Sequence, residues 1–252
     1  MRARDLPWRI EETCFNAFPS LKQVFLGDFL LRFSDGLSRR ANSANPLCAD
    51  PSGLSSAIDT VEQLYRAQSL PTIFRVPSIA DPTLDRELGA RGYTGEGESC
   101  VLYAPMPELA AAADPGVQLL TTPGPEWLAA MAALQGHTAE QSTIYRRIVG
   151  AIAIPSRFAL LAIDGAPAAL AYGVLHQDLL CYESVITDPQ RRRQGLARRI
   201  IAALAAWAGE AGADGACLQV EAGNAPARAL YDRFGLSTEL YRYRYRREPP
   251  AR

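Results

Sequence analysis

The chain has 252 residues, of which 48% are hydrophobic, and a formal net charge of −1 at pH 7. A chain of this length forms one large domain or two of ordinary size, and its apolar content is sufficient for a large core. A net charge so close to zero excludes a strong overall field toward nucleic acid or an anionic membrane surface.

The cysteines and the N-terminal residues indicate the cellular compartment. Five cysteines and two histidines occur without any C-x-x-C spacing, at Cys14, Cys48, Cys100, Cys181, Cys217, His137 and His176. This scatter predicts no metal site and fits a reducing cytoplasm. Residues 1–12 lack the apolar segment of a secretory signal, and no stretch approaches the roughly 18 apolar residues of a membrane span. We therefore expect a cytoplasmic protein with neither a membrane nor a nucleic-acid partner.

The first 106 residues predict a mixed α/β unit. Apolar residues at helical spacing predict helices, at residues 8–18, 56–68 and 81–91. Runs rich in branched and aromatic side chains predict strands, at residues 28–34, 71–76 and 99–103. Asp35-Gly36 is typical of a hairpin turn, which predicts a further strand over residues 37–42.

A polar segment, residues 39–46, follows that turn. Its many hydrogen-bonding side chains suit the lining of a substrate pocket. They equally suit a turn in which Asn and Ser side chains bond the nearby backbone. The sequence leaves both interpretations open.

A Pro- and Ala-rich linker at residues 107–116 is predicted to separate two domains, residues 1–106 and 117–252. The second domain predicts strands at residues 117–122, 157–163, 168–175, 180–187, 217–221 and 239–246. It predicts helices at residues 127–134, 139–149, 195–211 and 226–234. Tyr and Arg alternate over residues 241–246, which indicates a half-buried strand; the alternative is a nucleic-acid-binding tail, which the near-zero charge disfavours.

The most informative stretch is Val185-Ile-Thr-Asp-Pro-Gln-Arg-Arg-Arg-Gln-Gly-Leu-Ala-Arg198. It predicts a strand that ends at Pro189, a basic turn, and a helix that starts at about Gly195. A helix start presents unpaired N–H groups and the positive end of the helix dipole, and both suit a phosphate group. Gly195 has no Cβ, so an anion can approach the backbone closely. The alternative is a solvated arginine run at an ordinary strand–helix junction.

Two segments together carry a resemblance to a known family. Arg192-Arg-Gln-Gly195-Leu-Ala197 fits the pattern Arg/Gln-x-x-Gly-x-Gly/Ala, and Asn224-Ala-Pro-Ala-Arg-Ala-Leu-Tyr-Asp-Arg-Phe-Gly-Leu236 begins 27 residues after Ala197. In this order and spacing they resemble the GCN5-related N-acetyltransferase (GNAT) superfamily, over roughly residues 116–247. The resemblance implies an α/β (α+β) fold with a mixed, mostly antiparallel sheet flanked by helices. It also implies acetyl-CoA as the acyl donor.

The resemblance further implies which residues hold this donor. The backbone of Val185, Ile186 and Thr187 would pair with the pantetheine arm like an added strand. The turn and helix start would hold the pyrophosphate, through Arg192, Arg193, Gln194, Gly195, Leu196, Ala197 and Arg198. Asn224 would bond the donor or order the loop around it.

Tyr231 matches the family's usual proton donor. A phenol with an ordinary pKa of about 10 is a reasonable acid toward a departing thiolate. The alternative role is core packing, because Tyr231 shares one apolar helical stripe with Ala227, Leu230 and Phe234.

The general base is left open by the sequence. Many relatives carry Glu at the position of Gln219, and an amide cannot accept a proton. Glu221 projects from the same face of the strand two residues on, and Glu183 lies on the strand before the turn. His176 is a third candidate, because histidine is the residue type that exchanges a proton near neutral pH. Water leading to bulk solvent is a further route.

The first half shows a weaker likeness to the second. Leu84-Asp-Arg-Glu-Leu-Gly-Ala-Arg-Gly-Tyr93 is similar to the run that ends at Leu236, and the predicted order of elements is also similar. We therefore predict a degenerate GNAT-like repeat, which lacks the Arg/Gln-x-x-Gly-x-Gly/Ala turn and is not expected to hold the donor. The alternative is an unrelated α/β extension.

Together these features predict an acetyl-CoA-dependent N-acetyltransferase that moves the acetyl group directly to an amine of a small molecule or protein. The alternative is a non-catalytic acyl-CoA-binding sensor or scaffold, which Gln219 favours. The oligomeric state is open.

Overall fold

Eleven β-strands form one continuous sheet in the computed structural model, which describes residues 5–106 and 114–250. In chain order the strands are β1 Lys22–Leu26, β2 Phe29–Phe33, β3 Ala44–Pro46, β4 Ile73–Pro77, β5 Thr94–Pro105, β6 Val117–Leu120, β7 Ser156–Ile163, β8 Ala166–His176, β9 Leu179–Thr187, β10 Gly215–Glu221 and β11 Thr238–Arg247. The helices are α1 Leu6–Ala17, α2 Leu54–Ala67, α3 Thr83–Ala90, α4 Pro125–Gln135, α5 Ala139–Gly150, α6 Leu196–Glu210 and α7 Ala225–Asp232. Residues 107–113 of the predicted linker lie outside the described residues.

The strand order is β1-β2-β3-β4-β11-β5-β10-β9-β8-β7-β6. The last strands of the two halves, β5 and β11, form its centre and pair antiparallel with each other. β11 also pairs antiparallel with β4, and β5 with β10, so each final strand borders a strand of the other half. Outward from this centre the pattern repeats: β3–β4 and β9–β10 are parallel, whereas β2–β3 and β8–β9 are antiparallel. The sheet therefore has a pseudo-twofold axis between β5 and β11. The mixed, mostly antiparallel sheet is confirmed, while the domain boundaries stay a prediction.

Helices cover both faces of this sheet. α1, α4 and α5 pack on one face, where Ile10 and Trp127 are fully buried. α6 packs on the other face through Leu196, Ile200 and Leu204, which recur at helical spacing. α2 and α3 cover that same face above the strands of the first half. No helix in the described parts of the chain is long and apolar enough to cross a membrane.

One prediction for the first half is wrong. Asp35-Gly36 does not connect a hairpin, because a short 3-10 helix, Arg39–Ala41, follows it in place of the strand expected at residues 37–42. The physical reason is the Asn42 side chain, whose Oδ1 accepts hydrogen bonds from the N–H groups of Ser34 and Gly36 at 2.7 and 3.1 Å. The turn thus closes on a side chain rather than on a partner strand. The hairpin of this half is β1–β2.

The Tyr–Arg alternation near the C-terminus forms part of β11, as the pattern predicts. Its tyrosines are buried on the face of α1, at Tyr241, Tyr243 and Tyr245. Its arginines bind carboxylates of the same chain: Arg242 pairs with Glu239, and Arg244 and Arg246 pair with Asp85. The positive charges of this face are therefore balanced by carboxylates of the same chain.

Candidate functional site

β9 and β10 run side by side only at their starts. Residues 179–182 of β9 pair with residues 215–218 of β10, and the two strands share no further pairing along their described lengths. The other edge of β9 stays paired, since Ile186 and Thr187 face Leu170 and Ala169 of β8. The edge of β9 toward β10 is therefore free beyond residue 182, including the predicted arm-binding residues 185–187. Unpaired backbone groups at such an edge suit an extended ligand.

A β-bulge lies just beyond the point where the strands part. Glu183 pairs with Tyr172 and Ile186 with Leu170, so β9 has one more residue here than β8. Ser184 takes a left-handed φ of +53° at this bulge. Its hydroxyl lies 2.9 Å from the Tyr145 hydroxyl of α5. The bulge therefore turns Ser184 toward the sheet face that α5 covers.

The basic turn then leads from β9 into α6. Gly195 is the N-cap residue, with φ +76° in the left-handed region that favours glycine. No side chain caps this helix start, and its first turn contains no acidic residue. A Cβ built on Gly195 meets no described atom within 4 Å. The first N–H groups of α6 thus border open space that can accept a phosphate group.

The side chains of the turn divide into two groups. Leu196 is buried and Ala197 is half-buried, so both serve to pack the helix start. The polar ones are exposed, namely Arg192, Arg193, Gln194 and Arg198. Within the described chain, these three arginines make no ion pair, whereas the neighbouring Arg191 and Arg199 are paired with aspartates. Three guanidinium groups therefore remain for an anionic ligand.

α7 carries two further predicted residues. The Asn224 side chain accepts a hydrogen bond from the N–H of Ala227 at 3.2 Å, so it caps α7 and orders the loop. Tyr231 is 8% exposed. Burial, and secondarily the charge of Glu183, raises the pKa of Tyr231 to about 12. The phenol therefore keeps its proton at neutral pH while also packing in the core.

An arginine of the first half lies at the point where β9 and β10 part. Arg40 Nη1 and Nη2 donate to Glu183 Oε1 and Oε2 at 2.9 and 2.6 Å. Arg40 Nη1 also donates to Gln219 Oε1 at 3.2 Å, and the Tyr243 hydroxyl donates to the same oxygen at 3.1 Å. Gln219 thus helps to hold Arg40 in place. The ring of Phe18 lies under the guanidinium, with 4.4 Å between Cζ and the ring centroid.

The two partners of this ion pair are withdrawn from water, with side-chain exposures of 3% for Glu183 and 20% for Arg40. Burial raises the pKa of Glu183, and the charge and hydrogen bonds of Arg40 offset only part of that effect. Burial lowers the pKa of Arg40, but the charge and hydrogen bond of Glu183, together with Tyr243 and Tyr172, outweigh burial and leave the pKa above its ordinary value. Because both carboxylate oxygens are bound to Arg40, Glu183 is an anchor for Arg40 rather than a free proton acceptor.

The other two candidate bases lie farther from this point. Glu221 is exposed at the end of β10, on the same side of the strand as Gln219. His176 pairs with Leu179 at the opposite end of β9, roughly 25 Å along the strand from Thr187. Its Nε2 is 3.1 Å from Glu12 Oε1 of α1. His176 is therefore not part of the site.

A cavity of about 370 Å³ lies between α4 and α5. Its lining is mostly apolar and consists of Pro123, Pro125, Leu128, Ala129, Ala132, His137, Ser142, Tyr145 and Arg146. Tyr145 connects it to the bulge through the contact with Ser184. Burial lowers the pKa of His137, and its buried Nδ1 has no partner among the described residues. Tyr145 in the cavity wall thus contacts Ser184, the residue next to Glu183.

Two of these features could not be read from the sequence. Arg40 and Glu183 are 143 residues apart, and the only signal was the polar character of residues 39–46. Asn42 and Asn45 bond neighbouring backbone carbonyls, as the turn interpretation of that segment predicts. The substrate-pocket interpretation stays a prediction, and Arg40 lies at the candidate site. The cavity depends on the packing of α4 against α5, and no motif marks it.

Comparison with known proteins places this architecture in a family. The model of the family described as "Probable histone acetyltransferase Rv0428c C-terminal" matches residues 8–246. YobR of Bacillus subtilis (strain 168), described as an uncharacterized N-acetyltransferase, is 24% identical over 251 residues, which is 95% of this chain and 98% of YobR. The chain belongs to the family of that model, within the GNAT superfamily.

Solved structures agree on the fold. A GCN5-related N-acetyltransferase from Kribbella flavida superposes with a TM-score of 0.74 at 20% identity, covering 99% of this chain and 98% of that one. A tandem GNAT protein from the clavulanic acid biosynthesis pathway superposes with a TM-score of 0.63 at 13% identity, covering 79% and 70%. At these identities the likeness concerns the fold alone. It extends over both halves of the chain.

Proposed function

We propose that this chain is an acetyl-CoA-dependent N-acetyltransferase that moves the acetyl group directly to an amine. Two stretches of backbone with unpaired hydrogen-bonding groups, close together along the chain, support the proposal. The edge of β9 toward β10 is unpaired at Val185, Ile186 and Thr187, and the uncapped start of α6 follows at Gly195. An extended acyl-carrier arm suits the first surface, and its pyrophosphate suits the second.

The residues of the turn fit such a donor. The N–H groups of residues 193–198 would bind the pyrophosphate, since no side chain caps them. Arg192, Arg193 and Arg198 add charge-assisted hydrogen bonds from the rim. The donor brings a thioester whose carbonyl carbon an amine can attack. Holding both reactants in one slot supplies a large part of the rate, on the order of 7–11 kcal/mol of barrier in favourable systems.

Tyr231 acts as the acid in this proposal. The amine nitrogen forms a bond to the acetyl carbon, the carbon–sulfur bond breaks, and the sulfur takes the phenol proton of Tyr231. Because Glu183 is bound by Arg40, the amine proton leaves by another route. Glu221, at the solvent edge of β10, accepts it directly or through water. Proton transfer from solvent then restores the phenol.

The acceptor amine binds in the cavity between α4 and α5. The contact between Tyr145 and Ser184 places this cavity against the bulge, next to the free edge of β9. Its mostly apolar lining selects an amine attached to an apolar body. Arg146 at the lining adds an attraction for a negatively charged group on that body.

A non-catalytic acyl-CoA-binding sensor is the second candidate. It is favoured by one observation, namely that the side-chain oxygens of Glu183 and Gln219 accept hydrogen bonds from Arg40. A sensor binds the donor in the same slot but turns over no amine. The two candidates thus share their binding step and differ in turnover.

Calorimetric titration with acetyl-CoA tests the shared step. The wild type is expected to bind one equivalent, and Gly195→Glu to bind none, because its carboxylate enters the phosphate space. Gly212→Glu is the matched control at the other end of α6, since Gly212 also has positive φ (+87°) and open space at its Cβ. Absence of binding to the wild type, or equal loss in both variants, overturns the proposal.

An assay of several amines, in which the free thiol released from acetyl-CoA is measured, distinguishes the enzyme from the sensor. Amines on an apolar body are expected to be acetylated, and Glu221→Gln is expected to slow them most at low pH, where neutral amine is scarce. Tight donor binding with no thiol release above the background hydrolysis rate favours the sensor instead.

A further inference from the structure

Three of the five cysteines meet beside the point where β9 and β10 part. Cys14 comes from α1, Cys181 from β9 and Cys217 from β10, and the last two are direct neighbours across the parallel pair. Their three Sγ atoms all lie within 4.8 Å of one another. Cys14 Sγ and Cys181 Sγ are 3.8 Å apart, and all three side chains are buried. The proposed acyl transfer uses none of them.

The spacing of the sulfur atoms matches that of metal thiolates. A zinc–sulfur bond is about 2.3 Å, so two sulfurs of a tetrahedral site lie about 3.8 Å apart. The pair Cys14–Cys181 has this separation already. Cys217, within 4.8 Å of both, reaches it with a shift of about 1 Å or less. Three thiolates form a soft ligand set, which suits ions such as Zn²⁺, Cd²⁺ and Cu⁺.

Two buried ion pairs lie near the cluster. Arg75 pairs with Glu11, and Arg40 pairs with Glu183. Cys181 Sγ lies 3.9 Å from Glu183 Oε1. These charges are therefore already paired with one another.

We propose that Cys14, Cys181 and Cys217 form a binding site for one thiophilic divalent cation of the Zn²⁺ and Cd²⁺ class. Three metal–sulfur bonds form, the thiol protons pass to solvent, and the product of three thiolates and one divalent cation carries one net negative charge. The slot between β9 and β10 gives access, since it opens directly after Tyr182. The ion joins α1 of the first half to two strands of the second. Its three cysteines take no part in the proposed acetyl transfer, although the ion enters through the slot proposed for the donor arm.

Titration of the reduced, metal-free chain with Cd²⁺ tests the site. The thiolate-to-cadmium charge-transfer band in the ultraviolet is expected to saturate at one Cd²⁺ per chain. A pH indicator in weak buffer should record release of at least about two protons per ion. The midpoint of thermal unfolding should rise with Cd²⁺, because the ion binds the folded chain.

Single substitutions assign the ligands. Cys14→Ala, Cys181→Ala and Cys217→Ala should each weaken Cd²⁺ binding by about tenfold or more and reduce the band by about a third. Cys100→Ala is the matched control, since Cys100 is equally buried but lies in the core of the opposite face. Circular dichroism of each metal-free variant shows whether it is folded, and so distinguishes loss of a ligand from unfolding. The stoichiometry and the proton release are measured on the wild type and need no variant. If the wild type shows no saturable band, or Cys100→Ala weakens binding equally, the cluster serves only as core packing.

Discussion

α2 of the first half and α6 of the second start with a similar backbone conformation but follow different turns. α2 and α6 each follow a glycine N-cap in the left-handed region, Gly53 at φ +58° and Gly195 at φ +76°, and neither has a side-chain cap. An Asp-Pro pair precedes both glycines, at residues 50–51 and 188–189. The strands that lead in, β3 and β9, occupy matching places in the sheet.

The difference lies in the turn just before each helix. In the first half the Asp28 carboxylate accepts hydrogen bonds from the N–H of Ser52 at 2.9 Å and from its hydroxyl at 2.8 Å, directly before the N-cap Gly53. In the second half the turn is rich in arginine, and no described carboxylate bonds the backbone of residues 192–198. The fold thus supplies a similar helix start twice, and a carboxylate of the same chain lies beside only one of them.

A second difference concerns the following helix. Leu84 precedes Asp85-Arg86 in α3, as Tyr231 precedes Asp232-Arg233 in α7. Both side chains are buried, but only Tyr231 carries a proton to donate. The first half therefore has similar packing at this position but lacks the phenol. It contributes Arg40 to the candidate site.

Arg40→Gln tests that contribution and should have the largest effect. Removing one partner leaves Glu183 as an uncompensated buried charge, which costs about 3–5 kcal/mol of unfolding free energy. Urea denaturation of the wild type and the variant measures the loss. The double variant Arg40→Gln with Glu183→Gln is expected to recover part of it.

Arg39→Gln is the matched control for that experiment. Arg39 is the adjacent residue, its side chain is 35% exposed, and its ion-pair distance to Glu96 is 3.8 Å. Exposed pairs of this kind contribute up to about 1 kcal/mol. Equal losses for the two variants would show that Arg40 is not the buried link between the halves.

Tyr231→Phe tests the chemical difference between α7 and α3. It keeps the packing and removes the proton, so kcat should fall about 100-fold while the Kd for acetyl-CoA stays unchanged. Steady-state turnover and calorimetry measure the two quantities. Tyr182→Phe, which removes a buried phenol bonded to the Ile201 carbonyl, is expected to retain activity. Full activity of Tyr231→Phe removes that residue from the mechanism.

Arg193→Ala tests the role of one arginine in the turn before α6, and its expected effect is smaller. Losing one rim charge should weaken acetyl-CoA binding about three- to tenfold at low ionic strength, and less in high salt, because salt screens exposed charges. Arg66→Ala on α2 should leave binding unchanged. Calorimetry at two salt concentrations checks both, and an effect of Arg66→Ala would assign a ligand role to the first half.

Asp28→Asn should have the smallest effect, confined to stability. The hydrogen bonds from Ser52 lower the pKa of Asp28 in the folded state. Its stabilising contribution is therefore complete above the unfolded pKa of about 3.9 and is lost as pH falls through the folded pKa. The wild type should exceed the variant in urea midpoint at pH 6, and the difference should vanish in acid. A gap that widens in acid contradicts the assignment.

The local order of the second half was predictable because its signals are local. Gly195, Asn224 and the apolar spacing of α6 each specify their own turn or helix. β1 was missed because its residues are largely exposed and show no alternation. The contacts of Arg40 with Glu183, and of Cys14 with Cys181, join residues 143 and 167 positions apart. Only tertiary packing determines such contacts, so spacing along the chain could not reveal them.

The exchange of the final strands bears on how such a chain assembles. In β4-β11-β5-β10 each half closes its sheet with a strand of the other, which is the topology of a domain-swapped homodimer joined into one polypeptide. β11, the last strand along the chain, lies between β4 and β5 of the first half. We therefore expect the first half to complete its sheet only after β11 has been made. Two fragments expressed separately are expected to rebuild the continuous sheet by binding each other.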